Sequence, residues 1–362
     1  MNINTFLSNA VKKKASDVHL ITGVAPAIRL NQRLIFLDLP PLKAEETTAM
    51  ARQVMNGHGD KHKAFEQKGE IDLSYFVEGV GYFRVNCYRQ RGVVGIAVRV
   101  INTEIPTIES LELPDVLLAL ARQTKGLVLV TGPTGSGKST TLAAIVDQIN
   151  RDRSCHIITL EDPIEYTHSN KKCIVTQREI GRDSKSFPEA LRAALRQDPD
   201  VIMVGEMRDL ETISIAITAA ETGHLVLATL HTINATQTVE RIIDAFQPMH
   251  QQQIRVQLAN TLIGIVSQRL IIRKDDSGMI AAIECLTSNA AVRTLIREGK
   301  AHQLYSLVET GSRFGMITMD KHLQSLYDQG LITSETLKEN ATDIERMNEY
   351  IDKTNTIKTK QE

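Results

Sequence analysis

The stretch Gly126–Thr140, GLVLVTGPTGSGKST, decides the fold. Its first six residues form a short apolar run without alternation, the pattern of a strand buried on both faces. Then follow Gly132, Pro133, Thr134, Gly135, Ser136, Gly137, Lys138 and Ser139, in the spacing G-x-x-x-x-G-K-[ST]. Between a buried strand and a helix opening at Lys138, this spacing predicts a loop that cradles phosphate. Gly132, Gly135 and Gly137 let backbone amides curl around an anion, and the helix start adds the positive end of its dipole. Lys138 is expected at the β- and γ-phosphates and the Ser139 hydroxyl on Mg²⁺, with Thr140 closing the nucleotide-binding stretch. A bound nucleoside triphosphate is the implied ligand.

Downstream, His156–Leu160, Val201–Val204 and Leu225–Leu230 repeat the short apolar run. Helical patterns at Thr140–Asn150, Phe187–Gln197 and Leu210–Thr222 alternate with them, which predicts an α/β unit with a parallel sheet covered on both sides. Ligands of such sheets lie beyond the carboxyl ends of the strands. The first run delivers Glu161, Asp162 and Glu165 there, the second Glu206, the third His231. Converging beside a phosphate loop, they read as Mg²⁺- and water-positioning groups. Gly205 stands where an Asp commonly ligates the metal, so Glu206 is expected to serve Mg²⁺ through water. Glu165 is then the better general base, with the reverse assignment open. His231 is expected at the γ-phosphate. His224 lies at the opposite end of the same strand, as a structural residue or at a subunit contact. Beyond Gln247 the chain reads as mostly helical, with one hairpin around Asp275–Gly278, and residues 346–362 read as a flexible tail.

Upstream, residues 1–101 read as a small α+β domain. Helices are expected at Asn2–Ala15 and Ala44–Asn56, the second closed by Gly57, with a strand at Asp17–Ile21. Ile71–Val77, Tyr82–Arg89 and Val93–Ile101 suggest an antiparallel meander. A turn centred on Arg91-Gly92 sets Arg84 opposite Arg99. Like charges so placed destabilise a sheet, and a nearby anion would explain them. Asn102–Pro114 reads as a linker to the α/β unit, residues 115–345.

The composition bounds the rest. With 42 basic and 43 acidic residues among 362, the net charge is −1, which gives no electrostatic case for nucleic acid. No apolar run approaches the ~20 residues of a membrane span, and a cytoplasmic protein is expected. Cys87, Cys155, Cys173 and Cys285 form no C-x-x-C pair, so neither a zinc site nor a disulfide framework is indicated.

Four ordered boxes carry a resemblance: GPTGSGKST (Gly132–Thr140), LEDPIEY (Leu160–Tyr166), DPDVIMVGEMRD (Asp198–Asp209) and AAETGHLVLATLHT (Ala219–Thr232). They resemble the Walker A, Asp, Walker B and His boxes of the type II/IV secretion-ATPase superfamily, in its pilus-retraction, twitching-motility branch. ASDVHL (Ala15–Leu20) and YFRVN (Tyr82–Asn86) are similar to that branch as well. AAVRTLIREGK (Ala290–Lys300) is similar to its AIRNLIRE motif, with Val292 for Ile and Thr294 for Asn. The resemblance implies a PAS-like N-terminal domain, a RecA-like P-loop ATPase domain with a helical C-terminal extension, and a homohexamer. It implies ATP and Mg²⁺, Glu165 as catalytic glutamate, Glu206 in the Walker B role, and Arg84 and Arg99 as phosphate sensors. It also implies docking, through the platform protein of a type IV pilus machine, at the cytoplasmic face of the inner membrane, with membrane association only through partners. Assembly and type II secretion ATPases usually carry an extra N-terminal domain and a tetracysteine zinc module, neither of which is read here. A nucleotide-gated regulator without turnover is disfavoured by Glu165, Glu206 and His231, and a nucleic-acid motor by the missing basic stripe.

Overall fold

The computed structural model describes residues 2–30, 33–56, 59–101 and 104–359, the side chains of residues 59 and 354–359 excepted. It divides into two compact units, Met1–Glu104 with Glu165–Thr167, and Ile105–Ile164 with His168–Glu362.

The first unit runs α1 (Ile3–Lys12), β1 (Asp17–Ile21), β2 (Ala27–Leu30), β3 (Arg33–Phe36), α2 (Ala44–Met55), α3 (Gly59–Lys68), β4 (Glu70–Val77), β5 (Gly81–Gln90) and β6 (Val93–Val100). Its strands form one antiparallel sheet in the order β3-β2-β1-β6-β5-β4. In α1 the buried residues Ile3, Phe6, Leu7 and Ala10 recur at helical spacing, and Asn2 caps the start by accepting from the Asn4 amide. With Met50 and Val54 of α2 they cover Val18, Leu20, Val85, Ile96 and Val98 on one sheet face. The helix stops at Lys12, short of the expected Ala15, because Lys14 turns the chain at φ +57°. β2, β3 and α3 have no counterpart in the sequence reading, and Gly57 lies outside the described residues.

The second unit continues α4 (Val116–Ala121), β7 (Gly126–Thr131), α5 (Lys138–Asp152), β8 (His156–Glu161), β9 (Ile174–Glu179), α6 (Phe187–Ala194), β10 (Val201–Val204), α7 (Leu210–Glu221), β11 (Leu225–Leu230), α8 (Ala235–Asp244), α9 (Pro248–Thr261), β12 (Leu262–Ile272) and β13 (Met279–Thr287). Helices α10 (Ala290–Arg297), α11 (Leu304–Thr310), α12 (Met319–Asp328), α13 (Ser334–Asn340) and α14 (Ile344–Thr359) complete it. The sheet order is β13-β12-β7-β11-β10-β8-β9, parallel except for β13. Along β7, Leu127 and Leu129 face the core shared with α7, α8 and α9, while Val128 and Val130 face α4 and α5. Burial on both faces is why the run is uniformly apolar.

Beyond Gln247 the chain is mostly helical, α9 to α14, with the expected hairpin around Asp275–Gly278 formed by β12 and β13, and β12 joins the sheet beside β7. Two expectations need correction, the linker and the tail. Of the expected linker, residues 102 and 103 lie outside the described residues. Ile108 and Leu113 are buried in the core around Leu117, so this part belongs to the second unit. The expected tail from 346 is helical through Thr359, with Met347 and Ile351 packed against Leu323, Leu326 and Ile271. No described helix is long and apolar enough to cross a membrane. The scattered cysteines also meet in one place: Cys155 and Cys173, free thiols at the feet of β8 and β9, have their sulfurs 3.3 Å apart.

Candidate nucleotide site

The phosphate loop is built where β7 hands over to α5. Gly132 lies at φ +147° and Gly137, which caps the helix, at φ +86°. A Cβ at Gly132 would stand 2.3 Å from the Gln268 carbonyl oxygen, and one at Gly137 2.8 Å from Gln268 Nε2. Glycine is required there for space as well as conformation. Lys138 Nζ donates to the carbonyls of Gly132 and Pro133, at 2.9 Å each, so the ammonium is held inside the loop it caps. Ser136 is buried, and its Oγ has no hydrogen-bond partner among the described residues. A buried orphan hydroxyl is costly, and it fits the loop to an acceptor such as a phosphate oxygen. Ser139 and Thr140 follow in the first turn of α5, with Pro133, Thr134 and Gly135 exposed at the tip. Ser139 is the residue that would hold Mg²⁺. Among the described residues no group of three or more His, Cys, Asp or Glu could hold a metal, but Mg²⁺ bound by phosphates and water needs little more than one hydroxyl.

Beside the loop, β11, β10 and β8 follow in order and end on the same edge. His231 Nε2 stands 3.0 Å from Glu206 Oε1, and Arg208 Nε 2.5 Å from the same oxygen. Burial alone would raise the Glu206 carboxyl. The hydrogen bond from Arg208 and the charge of His231 outweigh it and hold the group below the usual carboxylate range. Asp162, exposed at the end of β8, adds its charge at Arg208. Gly205 has a spatial reason: its Cβ would lie 3.1 Å from the Leu160 carbonyl oxygen, where β10 runs tight against β8.

Glu161 and Glu165 part company. Glu161 is buried at the end of β8 and accepts from Thr159 Oγ1 at 2.6 Å and Gln177 Nε2 at 3.1 Å, which makes it a strut. Glu165 is exposed, and its carboxylate makes no hydrogen bond or ion pair among the described residues. The loop that carries it is tied down further along. Asn150 of α5 donates to the Ser169 carbonyl and accepts from the Lys171 and Cys173 amides, and Asp147 of α5 pairs with Lys171. Glu179 of β9 accepts from the Ile164 amide at 3.3 Å. These anchors had no motif to announce them.

Arg84 and Arg99 are direct partners between β5 and β6, as the turn predicted. The expected anion has a second candidate in the same sheet. Asp17 is the β1 partner of Arg99, and its Oδ1 lies 3.2 Å from Arg99 Nε, with Arg29 on its other side. Their pairing therefore needs no phosphate, although both guanidinium groups are exposed. His224 Nδ1 lies 2.9 Å from the Ala219 carbonyl oxygen, at the end of α7.

Adjoining Gly137 and Thr140 is a cavity of about 250 Å³ with a largely apolar wall that includes Leu111, Leu270, Met279 and Ala281. An apolar cavity beside a phosphate cradle suits the base of a nucleotide.

Comparison with known proteins agrees with this geometry. Residues 1–345 match the model of a family described as type II/IV secretion system protein. The type IV pilus retraction ATPase PilT of Pseudomonas aeruginosa is 46% identical over 341 residues, 94% of this chain and 98% of that protein. A twitching motility protein of Neisseria gonorrhoeae is 45% identical, over 90% of this chain and 87% of its own. A crystal structure of the pilus retraction motor PilT with bound ADP matches with a TM-score of 0.87 at 49% identity, covering 96% of this chain and 98% of that one. The Legionella pneumophila ATPase DotB matches with a TM-score of 0.74 at 29% identity, over 93% and 94% of the two chains.

Proposed function

The chain belongs to the type II/IV secretion system protein family, and from that premise we propose that it is the ATP-hydrolysing motor of type IV pilus retraction. The observation that carries the reading is the 46% identity to a retraction ATPase over 94% of the chain. A complete set of strand-end groups supports it. Lys138 sits in the phosphate loop and neutralises the β- and γ-oxygens, and Ser139 would hold Mg²⁺, which would supply further positive charge at the phosphates. Glu165, an unengaged carboxylate on an anchored loop, takes the proton of the attacking water. Glu206 keeps its charge through Arg208 and His231 and would orient water at a bound Mg²⁺. The base of ATP packs against Leu270 and Met279. Arg84 and Arg99 sense the γ-phosphate, in a homohexamer docked on the platform protein at the cytoplasmic face of the inner membrane.

The experiment has two arms. Purified protein should hydrolyse ATP, and Lys138→Ala should abolish the activity. Deleting the gene from its host should stop twitching, and a Lys138→Ala copy should not restore it. A host that twitches normally without the gene would refute the retraction reading while leaving the ATPase intact.

A further inference from the structure

Gln268 stands in a place where the fold calls for an apolar side chain. It lies on β12 two residues past Val266, on the face that packs against α5, and it is 3% exposed. A buried amide is costly unless both ends are bonded. Both are. Nε2 donates to the Ser136 carbonyl at 2.8 Å, and Oε1 accepts from Thr141 Oγ1 at 2.7 Å. One residue earlier, Ser267 Oγ lies 2.9 Å from Thr131 Oγ1, which fixes β12 against the last residue of β7. The glutamine therefore spans the phosphate loop and the first turn of α5 from a strand whose register is locked beside them.

The bond to Ser136 has a particular consequence. In a planar trans peptide the C=O and the following N–H point in opposite directions. Holding the Ser136 carbonyl toward β12 turns the Gly137 N–H away from β12, toward the concave side of the loop. Gly137 cannot supply this constraint itself, because glycine at φ +86° is the most permissive residue the loop could have there.

We propose that Gln268 is a positioning residue for the phosphate loop: through the Ser136 carbonyl it pre-aims the Gly137 amide at the nucleotide's phosphates. This rests on the loop's being the nucleotide site. The contribution is to binding, since the amide meets phosphate in the ground state and the transition state alike, and KM should move while kcat stays.

The test uses the full-length protein, with ADP binding by calorimetry and steady-state ATPase kinetics. Gln268→Met, which keeps the length and loses both bonds, should weaken ADP binding and raise KM for ATP by roughly tenfold, the worth of one hydrogen bond to a charged acceptor. Its kcat should stay within about threefold. Thr141→Val removes only the other bond and should leave the ADP affinity within about threefold. Should Gln268→Met not fold, Gln268→Asn, one methylene short of Ser136, carries the same expectation. If the Gln268 variant binds ADP as the parent does while Lys138→Ala does not bind, the positioning role is wrong. It is equally wrong if Thr141→Val loses as much affinity, since the effect would then be general packing. If Lys138→Ala binds ADP normally, the loop itself has been misread.

Discussion

Glu165 and Glu206 are both candidate carboxylates, yet their surroundings set them apart. Glu206 is engaged by Arg208 and His231, whereas Glu165 is exposed and has no hydrogen bond or ion pair among the described residues. Glu165→Gln should therefore bind ATP normally and turn over roughly 10²–10⁴-fold slower, the usual worth of a general base. Filter binding beside steady-state ATPase measures both, and a Glu206→Gln variant that alone shows this pattern would reverse the roles. A second residue gives a pH signature. His322 of α12 is buried, its Nδ1 accepts from the Ile283 amide at 2.9 Å, and burial pushes its pKa down to about 4. The unfolded chain takes up that proton near pH 6.5, so the stability from a neutral His322 is full above that pH and is lost as pH falls toward 4. Urea unfolding should show the parent losing about 2–3 kcal/mol more than His322→Gln between pH 7.5 and 4.5. Equal losses would remove His322 from the account. Lys138, Glu206 and His231 were legible in the sequence because each sits at a fixed place beside a strand end. Gln268, Asn150 and Glu179 were not, because a buried polar residue declares itself only through partners that the fold brings to it.

At the scale of elements, the phosphate loop depends on how closely its neighbours approach. Gly135 has open space around its missing Cβ, whereas at Gly132 the obstacle is the Gln268 carbonyl, which is backbone and cannot swing away. Gly135→Ala should cost ~1–2 kcal/mol for its left-handed conformation. Gly132→Ala should cost more than about 3 kcal/mol, since overpacking adds to conformational strain. Chemical denaturation of the two variants decides, and similar costs would mean that the loop relaxes away from β12. The hairpin around Asp275–Gly278 was legible in the sequence, but the length of its first strand, β12, was not. Helix α9 ends at Thr261 and β12 begins at Leu262 with no Gly or Pro between them. The polar run Ser267-Gln268-Arg269 then breaks the apolar stretch that betrays a buried strand. Strands β7, β8, β10 and β11 were legible because nothing interrupts theirs. Helix α3, GDKHKAFEQK, offers only Ala64 and Phe65 as apolar residues, too few for a helical period.

For the whole molecule, the two-unit division was legible because the texture of the sequence changes after the antiparallel meander. Its boundary was placed too late, because Pro106 and Pro114 mask the buried Ile108 and Leu113. In the first unit, Asp17 already pairs with Arg99. Arg84→Ala and Arg99→Ala should each slow ATP turnover at least roughly tenfold, a modest part of what an arginine on a γ-phosphate is worth, with the assembly unchanged in size-exclusion light scattering. Unchanged turnover would leave both as solvated charges on a polar sheet face.

The reach of Gln268 across the chain also bears on how the protein is made. Ser136 and its brace are 132 residues apart in sequence, so at ~5–20 residues per second the ribosome needs roughly 7–26 s to deliver the second after the first. Until then β7 lacks the neighbour on one side, and the loop lacks what holds its carbonyl. A nascent chain should therefore bind nucleotide weakly until β12 has joined the sheet beside β7.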